Sequence, residues 1–463
     1  MLIERGGSPY GNQNISNIGS FAATLSDLSP TSPSQRFISE DGVINARGRV
    51  LGGGSCLNAG FYTRAETDFV QEAGWDGHLV NQSYLWVEKL VAFKPPMLQW
   101  QSAFRDGLLE VGILPNNGFT YDHIIGTKVG GTIFDRDGHR HTAADLLEYS
   151  NPKKLSVLLH ATSSFYNHDY LYYTGRTRPV SQGVIFRDAS GIKHRAYLKK
   201  SSKNEIIISA GAMGSPQLLM LSGVGPVEHL KSHNIKVIVN QPMVGQGMSD
   251  NPMNAIFIPS PLPVEISLVQ VVGITRFGSY IEGASGANFA ASQDPQRDFG
   301  MFSSQTGQLS TVPPKQRTPE AIAKAVETMN NLDDGDFRGG FILEKVISPS
   351  STGHLELRNR NPDDNPSVTF NYFKEPEDLK SCVDGLTAIE KVVESKAFSK
   401  FRVVDRDYKV LGVDALRVID GSTFNHSPGT NPQATVMMLG RYMGVRILNE
   451  RLAMERPLSI NKD

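Results

Sequence analysis

An α/β fold is the expectation this sequence sets, and three observations carry it. Residues 205–209 (EIIIS) form a continuous apolar run bounded by polar residues and glycine. That is the pattern of a buried parallel strand, and it leads directly into a helix-forming stretch. Residues 416–419 (LRVI) read as another short strand, which reaches a long helix through a loop. Buried strands mixed with helices specify α/β. From about 259 to 370 the chain is strand-and-loop in character, punctuated by Gly, Ser and Pro, and this predicts a second, antiparallel layer.

The elements follow in chain order. The opening stretch MLIERGG reads as the tail of a strand running into a glycine turn, with Glu4 at the strand's end. Trp100, Phe104, Leu108 and Val111 recur at helical spacing and mark an amphipathic helix. Thr142-Ala-Ala-Asp145 is a capping box that opens a helix, with His139 and His141 in the turn leading to it. The spacing of those two histidines could also suit a metal, but the turn is the better reading and no metal is assigned. Ser215-Pro216 opens an apolar helix that Gly223 and Gly225 close. Thr318-Pro319-Glu320 opens another. Pro376 opens an amphipathic helix with Leu379, Val383, Leu386, Ile389 and Val393 on one face.

Size and composition narrow the function. With 463 residues the chain can bury a large core and hold more than one domain. Its 46 basic and 47 acidic residues nearly balance, and no basic stripe argues for nucleic acid. No apolar run is long enough to span a membrane, and the first thirty residues are too polar for a secretory signal. Two cysteines, Cys56 and Cys382, make no disulfide framework.

Three motifs carry chemistry. In residues 49–62 (RVLGGGSCLNAGFY) three consecutive glycines let a backbone approach a ligand closely, and Ser55 and Asn58 add hydrogen-bonding groups. Exposed turn amides of this kind suit a pyrophosphate, although a GGGS run taken alone is more often an ordinary flexible turn. Residues 211–225 form a well-capped packing helix whose interest lies in its spelling. In residues 416–444 the strand ends at Asp420-Gly421, and Asn431-Pro432 starts a helix. The positive end of that helix would stabilise an electron-rich ring that gains negative charge on reduction. The same residues are also compatible with a plain strand–loop–helix.

In this order the motifs resemble the glucose–methanol–choline (GMC) oxidoreductases, which are FAD enzymes, over nearly the whole chain. Residues 48–60 (GRVLGGGSCLNAG) look like the family's first signature and 211–225 (GAMGSPQLLMLSGVG) its second. Residues 244–252 (VGQGMSDNP) and the 418–435 segment (VIDGS…SPGTNPQAT) resemble two further family segments. Residues 130–147, 368–379 and 429–444 look like the plant HOTHEAD-like and mandelonitrile lyase-like subgroup. The resemblance implies a Rossmann-like FAD domain from 1–75, 150–255 and 405–463. It also implies an α+β substrate domain with an antiparallel sheet from 76–149 and 256–404. Implied FAD contacts are Glu4, Arg5, Val50, Gly53, Gly54, Asn58, Ala59, Gly60, Phe61, Ser163, Asp420, Gly421, Asn431, Pro432 and Gln433. Glu4 matches the acid that binds the adenosine ribose. Asn431 matches the group that orients the substrate oxygen beside a catalytic histidine.

Three departures accompany the resemblance. No GxGxxG spacing occurs in the chain, so the first strand and phosphate loop are expected to be missing and FAD binding weak, as in a shortened gene product. The family's histidine-bearing segment is absent: residues 395–409 (SKAFSKFRVVDRDYK) run almost directly into the final block and contain no His. Ser163 stands near where the family has a β-branched residue that holds the adenine. The resemblance implies an oxidoreductase acting on the CH–OH group of a small-molecule alcohol, with long-chain ω-hydroxy fatty acids of cuticle synthesis as the class. Two other readings are a hydroxynitrile lyase with a non-redox FAD and a non-catalytic splice or gene-model fragment. His426, five residues before Asn431, reads as a surface loop residue rather than a replacement base.

Overall fold

The computed structural model describes residues 1–27, 29–164, 171–172, 179–199, 204–260, 264–286 and 339–401, with short runs within 316–324 and 442–452. A six-stranded sheet is its largest element. The strand order is Met253–Pro259, Gly339–Val346, Ser279–Ser285, Val271–Ile274, Gly126–Val129 and Asn116–Phe119. Every neighbouring pair is antiparallel except the last. This is the antiparallel layer expected from 259–370, completed by two strands from earlier in the chain.

The helix Gln99–Glu110 packs on one face of that sheet. Its apolar stripe at 100, 104 and 108 is fully buried, as its spacing requires, while Val111, the fourth position expected on it, is the half-buried C-cap just past the helix's end. Each of the three side chains meets a glycine in the sheet. A Cβ on Gly340 would lie 2.5 Å from Trp100, one on Gly283 3.0 Å from Phe104, and one on Gly273 3.0 Å from Leu108. Large knobs therefore fill notches that only glycine leaves open, and each buried side chain contributes about 1.5–3 kcal/mol. Gln101, also fully buried, ties the same helix to the carbonyls of Leu268 and Gly283 and the amide of Val271.

The second helix on this face, Pro376–Glu394, begins at its proline as expected, but presents a different side. The buried positions are Asp378, Cys382, Gly385, Ile389 and Val392, while Leu379 and Val383 are 49% and 52% exposed. The cause is the polar sheet surface beneath. Glu344, 0% exposed, accepts from Ser279 Oγ at 2.9 Å and Asn254 Nδ2 at 3.1 Å. A Cβ on Gly385 would fall 2.1 Å from Ser279 Oγ, so the helix lies down on its small residues.

Burial raises the Glu344 pKa above its ordinary 4.5, against the opposing effect of those hydrogen bonds. The unfolded carboxyl ionises first, so its contribution to stability is complete below about pH 4.5 and is lost as pH rises through the folded value. Urea unfolding between pH 4 and 8 is expected to show this decline in the wild type and a flatter profile in Glu344→Gln. Parallel profiles would refute the assignment.

Other expectations need correction. Residues 205–209 form no strand. Burial alternates along them, with Ile206 and Ile208 half-buried, but Ile207 is 82% exposed. A strand persists only where a neighbour pairs its backbone, and none lies against this run among the described residues. The helix expected to open at Ser215-Pro216 starts earlier, at Gly211, and carries Pro216 inside it. Ser215 Oγ instead accepts the amide of Ala210 at 3.0 Å, so the serine stabilises the turn entering the helix. Gly223, with φ +83°, follows the helix's end, as read. The capping box at Thr142 and Asp145 forms with both hydrogen bonds, though the element it opens is a 3-10 helix, Ala143–Tyr149. Thr318 Oγ1 accepts the amide of Ala321 at 3.3 Å, while Pro319 lies outside the described residues. The strand at 416–419 and the start of the helix at 431–432 also lie outside them.

Candidate functional site

The opening stretch sets the geometry. Leu2–Ile3 pairs in parallel with Val157–Leu158, and Glu4 N donates to Leu158 O at 2.8 Å. The chain then turns: Gly6 N donates to Glu4 Oε1 at 2.7 Å. This is the strand, acid and glycine turn read from MLIERGG. Glu4 Oε2 has no partner among the described residues.

The turn crosses the glycine-rich loop at contact distance. Gly7 bridges Val50, and Leu51 N donates to Gly7 O at 2.9 Å. A Cβ on Gly6 would lie 1.9 Å from Arg49 O, and one on Gly48 2.6 Å from Gly53 C. Arg5 Nη2 donates to Gly48 O at 3.4 Å, and burial lowers its pKa. Ser163 lies in the strand Thr162–Ser164, opposite Phe186. That strand leaves the same crossing, since Ala161 N donates to Glu4 O at 2.9 Å.

Beyond the crossing, Gly53–Cys56 is a short 3-10 turn preceded by Gly52 at φ +97°. A methyl on Gly53 or Gly54 would meet nothing within 4 Å. These two positions leave bare backbone facing open space. Val50 is 2% exposed and its side chain belongs to the core with Ile15, Leu25, Cys56 and Leu57, so only its backbone faces the crossing. Ala59 and Phe61 pack on the second face of the large sheet against Val272, Ile274 and Tyr280. Gly60, at φ +78°, turns the chain between them.

Two buried basic residues that the motifs did not single out lie beside this loop, and Arg140 is the one that holds it. Arg140, 8% exposed, donates through Nη1 to Ser55 O at 3.1 Å and Asn58 O at 2.7 Å. Burial lowers its pKa to about 10. Lys128, 1% exposed, donates to Thr63 Oγ1 at 2.9 Å and Asp122 O at 2.5 Å, and burial lowers its pKa to about 8. In sequence each looks like one more solvated charge. Asn58 Oδ1 and Ser55 Oγ also serve the loop itself, accepting from Gly60 N and Ala143 N.

Asp135, Asp137 and His139 bring possible ligand atoms within 4.8 Å of one another. Asp135 Oδ1 is already accepting the amides of Asp137 and His139, so the cluster closes a turn and we assign it no metal. Asp420, Gly421, Asn431, Pro432 and Gln433 lie outside the described residues.

The crossing fits the ADP half of FAD. A carboxylate with a free oxygen suits ribose hydroxyls, and open glycine backbone suits a pyrophosphate. Relatives decide the family. The protein HOTHEAD of Arabidopsis thaliana is 48% identical over 510 aligned positions, covering 98% of this chain and 84% of the relative.

The chain is a GMC oxidoreductase.

An (R)-mandelonitrile lyase-like protein of Arabidopsis thaliana is 40% identical, covering 98% of this chain and 86% of its own. A sinalpyl alcohol oxidase, Nec3, of Nesocodon mauritianus is 38% identical, with 97% and 85% covered. Among solved structures, pyridoxine 4-oxidase from Mesorbium loti superposes with a TM-score of 0.64 at 17% identity, covering 96% of this chain and 93% of that one. The GMC oxidoreductase models match residues 170–253 for the N-terminal part and 349–402 and 396–440 for the C-terminal part. The C-terminal match is thus broken at 396–402. The HOTHEAD alignment, at 510 positions, is also longer than the 463-residue chain. GMC oxidoreductases use FAD and act on CH–OH groups, so this chain is by family an FAD-dependent enzyme. Among the described residues, no helix is long and apolar enough to cross a membrane.

Proposed function

We propose that this GMC oxidoreductase oxidises a primary alcohol of the long-chain ω-hydroxy acid class, and that its proton-transfer step is impaired. The observation that carries the impairment is the family match broken at 396–402, where the resemblance implies a histidine-bearing segment. In our assignment 1–75, 150–255 and 405–463 hold FAD, while 76–149 and 256–404 hold the substrate. The large sheet supports it, because its strands come from 116–129 and 253–346. When bound, FAD would supply the hydride acceptor. Glu4 would receive the ribose hydroxyls, Gly53 and Gly54 would admit the pyrophosphate, and Asn431 would orient the substrate oxygen. Asn431 is neutral near pH 7 and takes no proton, so deprotonation of the alcohol falls to solvent.

A hydroxynitrile lyase is the second reading, favoured by the 40% identical lyase-like relative. Purified protein with saturating FAD should reduce an acceptor dye slowly with a long-chain ω-hydroxy acid and release no benzaldehyde from mandelonitrile. Benzaldehyde release without dye reduction would establish the second reading instead.

A further inference from the structure

Ser34 and Arg36 point to the same face of the strand Ser34–Ile38, two residues apart. With Ser29, Pro30 and Arg49 they line a concavity of about 380 Å³. Ser34 is 3% exposed, and its Oγ has no hydrogen-bond partner. The Arg36 guanidinium, half-buried, has neither a hydrogen bond nor an ion pair among the described residues. Burial lowers its pKa, with no acid contributing. Arg49 spends Nε and Nη2 on the carbonyls of Ser29 and Ser32, which leaves Nη1 without a partner there. Asp27, a nearby acid in the chain, is turned to the amide and hydroxyl of Ser29 and pairs with neither arginine.

An unpaired cation and an unpaired hydroxyl in one hollow both cost stability until something satisfies them. A water could take the hydroxyl but leaves the charge uncompensated. An oxyanion satisfies both, since guanidinium forks match its oxygens and the serine adds a donor. We propose that this concavity binds a phosphate group, held by Arg36 and Arg49 with Ser34 donating its hydroxyl. Free inorganic phosphate and the phosphate of a nucleotide share that chemistry, and the hollow has room for more than the phosphate alone.

The test is thermal unfolding of the full chain, titrated with inorganic phosphate or with AMP at ionic strength fixed by sodium chloride. A saturable rise in Tm with either is expected. The concentration giving half the rise should increase at least about tenfold in Arg36→Gln and also in Ser34→Ala. A response to phosphate that Arg36→Gln weakens identifies the free anion, and a response to AMP that Arg36→Gln weakens identifies a nucleotide, whereas an AMP response left over in Arg36→Gln belongs to the crossing at Glu4. Either weakened response supports the site. No response in the wild type, or an equal response in Arg36→Gln, overturns it. Should Arg36→Gln fail to fold, Ser34→Ala decides, because it removes one hydroxyl and no packing.

Discussion

Inserting at 396–402 the histidine-bearing segment that the family resemblance implies, taken from a relative that carries it, is expected to raise alcohol turnover by about 10²- to 10⁴-fold over the chain as it stands. That range is the usual worth of a positioned general base. The oxidation must remove a hydroxyl proton while hydride leaves carbon, and the base must lie within hydrogen-bond reach of that hydroxyl. In the role proposed for it, Asn431 would hold the oxygen, and as a neutral amide it cannot take the proton. The insertion lies where the family match divides. The kcat/KM of the grafted chain should also acquire a pH dependence from a group near the histidine range, which the ungrafted chain lacks. The control is the same graft with its histidine changed to alanine, which keeps any gain in folding but loses the base. Equal turnover by graft and control would show that the segment acts through structure alone. His426→Ala in the ungrafted chain would then be the next variant to measure.

Local patterns were legible where one packing partner dominated. Trp100, Phe104 and Leu108 predicted their helix and its buried face, because a sheet with glycine notches accepts large side chains. The Pro376–Glu394 helix was equally clear in extent, but its inner face was read one residue too far along. Its apolar positions Leu379 and Val383 look like a core stripe, yet the sheet beneath offers Glu344 and Ser279, which select Cys382 and Gly385. Periodicity reports where apolar side chains fall, not what surface awaits them. Residues 205–209 fail for a related reason: EIIIS has the composition of a buried strand, but pairing depends on a neighbour that composition cannot specify.

The site shows the same division. Glu4, the glycine turn and the GGGS loop were recognised from spelling, and the structure brings them to one crossing. What holds the loop was not recognised. Arg140, which holds it, and Lys128, which ties Thr63 to Asp122 beside it, are buried by tertiary packing, and no local pattern separates them from the many charges that stay in water.

A paired glycine experiment tests the crossing as a cofactor site. Gly6→Ala would place its methyl 1.9 Å from Arg49 O and 2.4 Å from Val50 N, both backbone atoms that no rotamer change can move aside. Forcing the two segments apart should cost about 1–3 kcal/mol of stability or more and remove FAD binding with it. That variant alone cannot separate a damaged fold from a lost contact. Gly54→Ala can. Its φ lies outside the left-handed region and its methyl meets nothing within 4 Å, so the free protein should lose no more than about 0.5 kcal/mol. If the pyrophosphate lies against that bare backbone, the methyl occupies its space and FAD affinity should fall at least about tenfold, roughly 1.4 kcal/mol. Thermal unfolding without FAD gives the first quantity, and quenching of flavin fluorescence gives the second. A Gly54→Ala protein that melts normally and binds FAD as the wild type does would remove the loop from the cofactor site, whatever its spelling suggests.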